Sequence, residues 1–121
     1  MSDILTHHEA GVLTITFNRP ERKNSITRDM YSALSQALAG AAQDDAVRVV
    51  VLQGAEVVFT AGNDIADFLQ HPPTDLEAPV FQFIFGMARF PKPVLAAVCG
   101  PAVGIGTTLL MHCEMVYAGD N

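Results

Sequence analysis

The sequence is poor in positive charge, poor in cysteine, and has no unbroken apolar run long enough for a membrane span. Seven lysines and arginines stand against thirteen aspartates and glutamates, for a formal net charge of −6. A chain with so few cations lacks the phosphate-neutralising surface of a nucleic-acid binder. The two cysteines, Cys99 and Cys113, lie in apolar segments. They do not make a secreted disulfide framework, so the expectation is a reducing, cytoplasmic setting. Met1–Thr6 has neither a basic nor an apolar leader region, and no signal peptide is expected. The most apolar stretch, Pro93–Met111, is broken by Gly100, Pro101, Gly104 and Gly106. It reads as strand, turn and buried helix rather than a span. No His/Cys/Asp/Glu set has metal-ligand spacing, and no metal is expected.

What is present suits one modest globular domain. Half of the 121 residues are hydrophobic and 17% are charged, a balance that argues against disorder. There is no internal repeat, low-complexity tract or linker. Ile4–Phe17 alternates with period two around Glu9-Ala10-Gly11 and predicts a hairpin, which Asn18-Arg19-Pro20-Glu21 ends. Thr27 is a candidate N-cap for a helix carrying Met30/Tyr31, Leu34, Ala37/Leu38 and Ala41 at helical spacing. The β-branched run Val47–Leu52 predicts a strand covered on both faces. Asp64 caps a short helix, Ile65–Gln70, and His71–Asp75 is a breaker. A helix over Leu76–Arg89, a strand over Val94–Cys99, a helix ending near His112 and a strand over Glu114–Tyr117 complete the chain. Strands and helices in this alternation imply an α/β domain with right-handed crossovers.

Two loops carry the candidate chemistry. Ala61-Gly62-Asn63-Asp64 and Gly100-Pro101-Ala102-Val103-Gly104-Ile105-Gly106 each lead from the region of an apolar strand into a helix. The first turn of a helix leaves backbone N–H groups unpaired, and two of them converging on one point make an oxyanion hole. Glycine lets a ligand approach the backbone closely. Such turns also arise for packing alone, so loop chemistry by itself leaves both readings open. Rival phosphate-loop readings fail on spacing. Leu109 stands where G-x-G-x-x-G needs its third glycine, and Thr107, not lysine, follows Gly106. His112-Cys113-Glu114 points in different directions on a helix and cannot act as a triad. Arg19, Arg22, Lys23 and Arg28 form a basic cluster that suits a small phosphorylated ligand; a solvated loop ahead of a helix accounts for it at least as well.

Three motifs in order resemble a known family. Ile15-Thr16-Phe17-Asn18-Arg19-Pro20-Glu21-Arg22-Lys23-Asn24-Ser25-Ile26 is similar to the opening of crotonase (enoyl-CoA hydratase/isomerase) enzymes. Phe59-Thr60-Ala61-Gly62-Asn63-Asp64 resembles their F-[ST]-A-G-x-D loop, and Cys99–Gly106 resembles their second glycine-rich loop. The resemblance covers essentially the whole chain and implies a crotonase-like ββα-spiral fold, with residues 1–121 as the N-terminal part of a single domain. It further implies an acyl-CoA substrate, no other cofactor, and an oxyanion hole made by the Asn63 and Ile105 backbone N–H groups. CoA contacts are expected near Arg22, Lys23 and Asn24, and near Ala61, Asp64 and Ile65. The complete protein is expected to be a homotrimer or hexamer. Thr108 occupies the position of the first hydratase glutamate and cannot act as a carboxylate acid/base. This favours a Δ3,Δ2-enoyl-CoA isomerase over a hydratase, with a non-catalytic acyl-CoA-binding homologue as a further alternative. The isomerase carboxylate is expected beyond Asn121, and the chain reads as truncated. Glu56 and Asp67 could lie near the site, but they read first as solvated charges.

Overall fold

A computed structural model describes residues 3–54, 59–98 and 115–118. The candidate loop Gly100–Gly106 with Ile105, the helix expected to follow it, Thr108 and Glu56 lie outside the described residues.

The hairpin forms as its alternation predicts. Strands β1 (Ile4–Glu9) and β2 (Val12–Phe17) pair antiparallel, and Glu9 faces Val12 across a two-residue turn. Ala10 and Gly11 in that turn have φ of 53° and 83°. Two successive positive φ values match the right-handed twist of the strands. The Gly11 carbonyl accepts from Arg48 N–H and Val49 N–H, which ties the turn to the start of β3 (Val49–Gln53).

Helix α1 (Arg28–Gln43) carries the chain from β2 to β3. The Thr27 hydroxyl accepts from Met30 N–H, as an N-cap should. Helices α2 (Ile65–Gln70) and α3 (Pro79–Arg89) lie between β3 and β4 (Val94–Val98), and β5 is Met115–Ala118. The sheet order is β1-β2-β3-β4-β5, with every pair after the first parallel.

One face of the sheet and two helices build the core. Ile15 pairs with Leu52, Leu52 with Ala96, and Val50 with Val94. These residues, with Phe17, are buried together with Met30, Tyr31, Leu34, Leu38 and Ala41 of α1 and Phe83 and Met87 of α3. The Tyr31 and Phe83 rings lie 5.8 Å apart where the helices meet.

Four expectations change in detail. The strand predicted over Val47–Leu52 begins at Val49, because Val47 N–H closes a turn onto the Asp44 carbonyl. Only Val50 and Leu52 are fully buried; Val49, Val51 and Gln53 on the other face are half-buried. Among the described residues the two-sided cover is therefore incomplete: α1 and α3 share a single core with one face. Helix α3 starts at Pro79 rather than Leu76. The Asp75 carboxylate accepts from Glu77 N–H and folds the preceding residues into a turn, and proline is preorganised for a first helical position. Finally, the segment that ends β2 forms a 3-10 turn, Pro20–Arg22, followed by Lys23 and Asn24 with φ of 55° each.

Candidate active site

The segment after that turn and the Phe59–Asp64 loop are laced into one unit. Ala61 N–H donates to the Lys23 carbonyl at 3.0 Å, and Ile26 N–H to the Gly62 carbonyl at 2.8 Å. Asp64 N–H donates to the Ile26 carbonyl at 3.0 Å. The Thr60 hydroxyl donates to the Asn24 carbonyl at 2.6 Å and accepts from Gly62 N–H. The Asn24 carboxamide is fully buried; it accepts from Arg19 N–H at 2.7 Å and donates to the Phe59 carbonyl at 3.1 Å. Two loops remote in sequence thus satisfy each other's backbone, as buried polar groups require. Gly62, at φ 91°, makes the bend that a side chain would oppose.

This lacing sets the direction of one N–H group. Ile26 and Asn63 form a parallel bridge. In it, Ile26 uses the groups of Gly62 and Asp64 on either side of Asn63. The N–H of Asn63 therefore points to the opposite side, and among the described residues no group accepts from it. Its side-chain oxygen accepts from the Tyr31 hydroxyl. Tyr31 is buried, which pushes its phenol well above the ordinary value and keeps it a donor.

Asp64 anchors the next element. Its Oδ1 accepts from Asp67 N–H at 2.9 Å, capping α2, and its Oδ2 accepts from the Arg19 guanidinium at 2.7 Å. The Asp67 N–H first, and then Arg19, hold the Asp64 carboxyl below the ordinary carboxylate value. Asp67 in turn accepts from Arg28 N–H at 2.8 Å, satisfying the first N–H of α1, and its Oδ1 lies 3.5 Å from His71 Nδ1. Asp67 is thus a strut between two helices, which corrects its reading as a solvated charge.

Within the described residues, the predicted site residues divide into three groups. Asn24 and Asp64 have side chains committed to the frame. Arg22, Lys23 and Ile65 are exposed, Ile65 at 75%, and Ala61 is half-buried. Asn63 borders a cleft of ≈ 430 Å³ with Tyr31, Asp67, Phe68, His71 and Val80 among its walls. Ile105 lies outside the described residues. A larger groove, ≈ 600 Å³, runs along α1 and α3 past Ser35, Phe85 and Phe90; no predicted site residue borders it.

Two residues escaped sequence reasoning. Arg19 belongs to the basic cluster by sequence, yet it is turned inward onto Asp64 and Ser25. Tyr31 read as a core position, and its helical spacing carried no sign of a polar partner on another element. Among the described residues no helix is long and apolar enough to cross a membrane.

Residues 7–121 match the family model described as enoyl-CoA hydratase/isomerase. The chain belongs to that family. Among relatives, it is 40% identical over 119 residues to enoyl-CoA delta isomerase 2 of Homo sapiens, covering 93% of this chain and 30% of that protein. It is also 40% identical over 125 residues to 1,2-epoxyphenylacetyl-CoA isomerase of Escherichia coli, covering 98% of this chain and 48% of the relative. The solved structure of Pseudomonas aeruginosa OdaA superimposes with a TM-score of 0.96 at 50% identity, over 100% of this chain and 49% of that one. The family member described here spans less than half the length of each of these proteins, and its architecture is the crotonase-like α/β fold.

Proposed function

We propose that this chain supplies part of an oxyanion site that stabilises the enolate of an acyl-CoA thioester, in an enzyme of the Δ3,Δ2-enoyl-CoA isomerase type. The observation that carries the reading is the Asn63 N–H, aimed away from its bridge partner and without an acceptor among the described residues. Ile105 N–H is the second donor. A carboxylate outside the described residues takes a proton from C2 of a 3-enoyl thioester. The electron pair moves onto the thioester oxygen, which receives hydrogen bonds from the two N–H groups. The proton returns at C4, leaving the double bond between C2 and C3, so no oxidant or further cofactor enters. Negative charge grows on the oxygen only as the proton leaves, so donors held in advance favour the transition state over the substrate.

The exposed Arg22 and Lys23 suit the phosphates of CoA, with Ala61 and Ile65 flanking. Asn24 and Asp64 serve this site by holding its frame. Thr108 favours isomerisation over hydration, because a hydroxyl cannot exchange a proton as a carboxylate does at neutral pH.

The test is incubation of the full-length protein with a medium-chain 3-enoyl-CoA, with products separated by chromatography. A conjugated 2-enoyl-CoA product is expected. A 3-hydroxyacyl-CoA as first product from a 2-enoyl-CoA, with no isomerisation, would overturn the isomerase reading in favour of hydration.

A further inference from the structure

The Asn63 side chain presents a problem that Tyr31 solves. Asparagine readily turns its carboxamide oxygen onto nearby backbone N–H groups, its own included. At residue 63 such a turn would occupy the donor that an anion needs. Asn63 is exposed, so packing does not restrain it. What restrains it is the Tyr31 hydroxyl, which donates to the Asn63 Oδ1. Tyr31 is well placed to hold that oxygen. It is only 4% exposed, its ring is packed against Phe83, and it sits one turn into α1, whose N-cap Thr27 follows Ile26, the bridge partner of Asn63. The same segment therefore fixes the Asn63 backbone through Ile26 and its side chain through Tyr31.

We infer that Tyr31 is a positioning residue, whose hydroxyl holds the Asn63 carboxamide oxygen away from the backbone N–H that receives the thioester oxygen. The inference rests on the reading of Asn63 N–H as an enolate donor. A bland alternative is that the hydrogen bond merely satisfies a buried phenol. The two differ in one respect: if Tyr31 acts on Asn63, its removal matters only while residue 63 carries a carboxamide.

The experiment uses the full-length protein, the Tyr31→Phe variant and the double variant Tyr31→Phe/Asn63→Ala. Each is titrated calorimetrically with acetoacetyl-CoA, which enolises readily, and with butyryl-CoA, which does not. The readout is the ratio of the two Kd values, and thermal unfolding checks each fold. The unsubstituted protein is expected to prefer acetoacetyl-CoA. Tyr31→Phe keeps the ring and should cut that preference about tenfold, a fraction of the loss on deleting an oxyanion donor outright. Adding Asn63→Ala should restore the preference, because no side-chain oxygen then competes for the N–H. An unchanged preference in folded Tyr31→Phe, or a loss that persists in the double variant, overturns the inference. Absence of any preference in the unsubstituted protein overturns the Asn63 donor reading itself, and the role of Tyr31 with it.

Discussion

The Arg19 guanidinium donates to the Asp64 carboxylate at 2.7 Å, joining the end of β2 to the N-cap of α2 across 45 residues of chain. Both side chains are mostly buried, at 16% and 13% exposure. The pair stands directly beside Asn63, so it bears on the position of the candidate donor as well as on stability.

Asp64→Asn should lower stability by about 2 kcal/mol, because it leaves a largely buried guanidinium without its counter-charge. The partial exposure of the pair keeps the expected cost below that of a fully buried one. Urea denaturation of the two proteins checks this. A loss near zero would mean that water replaces the carboxylate without cost.

The same carboxylate sets a pH dependence. The folded protein holds the Asp64 pKa below its ordinary value, so the group stabilises the fold above the unfolded-state pKa of about 3.9. That contribution is lost as pH falls through the lower, folded pKa. The stability gap between the unsubstituted protein and Asp64→Asn should therefore be full at neutral pH and shrink on acidification below pH ~4. Denaturation midpoints measured across that interval test the sign; a gap that widens in acid would contradict it.

Asn24→Ala should be more damaging. It strands the Arg19 N–H and the Phe59 carbonyl, both partners of the buried carboxamide. It also places a residue less tolerant than asparagine at φ 55°. About 3 kcal/mol is expected from two unpaired buried groups and the added strain. Chemical denaturation gives the loss, and Asn24→Gly separates the two parts, since glycine removes only the strain.

Replacing the amide of Asn63 by an ester, through semisynthesis, removes the N–H and keeps the side chain. Turnover of a 3-enoyl-CoA should fall about 10²–10³-fold. Folding should suffer only from the weaker ester carbonyl at Gly62, which accepts from Ile26 N–H. Steady-state kinetics beside thermal unfolding reads both; unchanged kcat would exclude Asn63 N–H as a donor.

Local chemistry made much of this protein legible before any coordinates. Alternation and the Ala10-Gly11 turn identify the hairpin, because side-chain period and positive φ are properties of adjacent residues. Thr27 and Asp64 announce helix starts for the same reason, and the apolar spacing of α1 predicts which side chains are buried. The order of the three motifs points to the enoyl-CoA hydratase/isomerase family, whose model matches residues 7–121. The exceptions were also local in origin: Asp75 captured the Glu77 N–H and delayed α3, and a short turn at Asp44 delayed β3.

What only the tertiary structure decided is how distant residues share polar groups. Nothing in the run from Asn18 to Arg28 says that Arg19 turns inward to Asp64, that the Asn24 carboxamide is a buried clamp between Arg19 N–H and the Phe59 carbonyl, or that Asp67 accepts from the first N–H of α1. Nor does the spacing of Tyr31 reveal its bond to Asn63. Hydrophobic burial is written as a periodic pattern, which a single segment displays by itself. A hydrogen bond between loops depends on where two backbones meet in space, and that is set only when the sheet and its crossovers have formed.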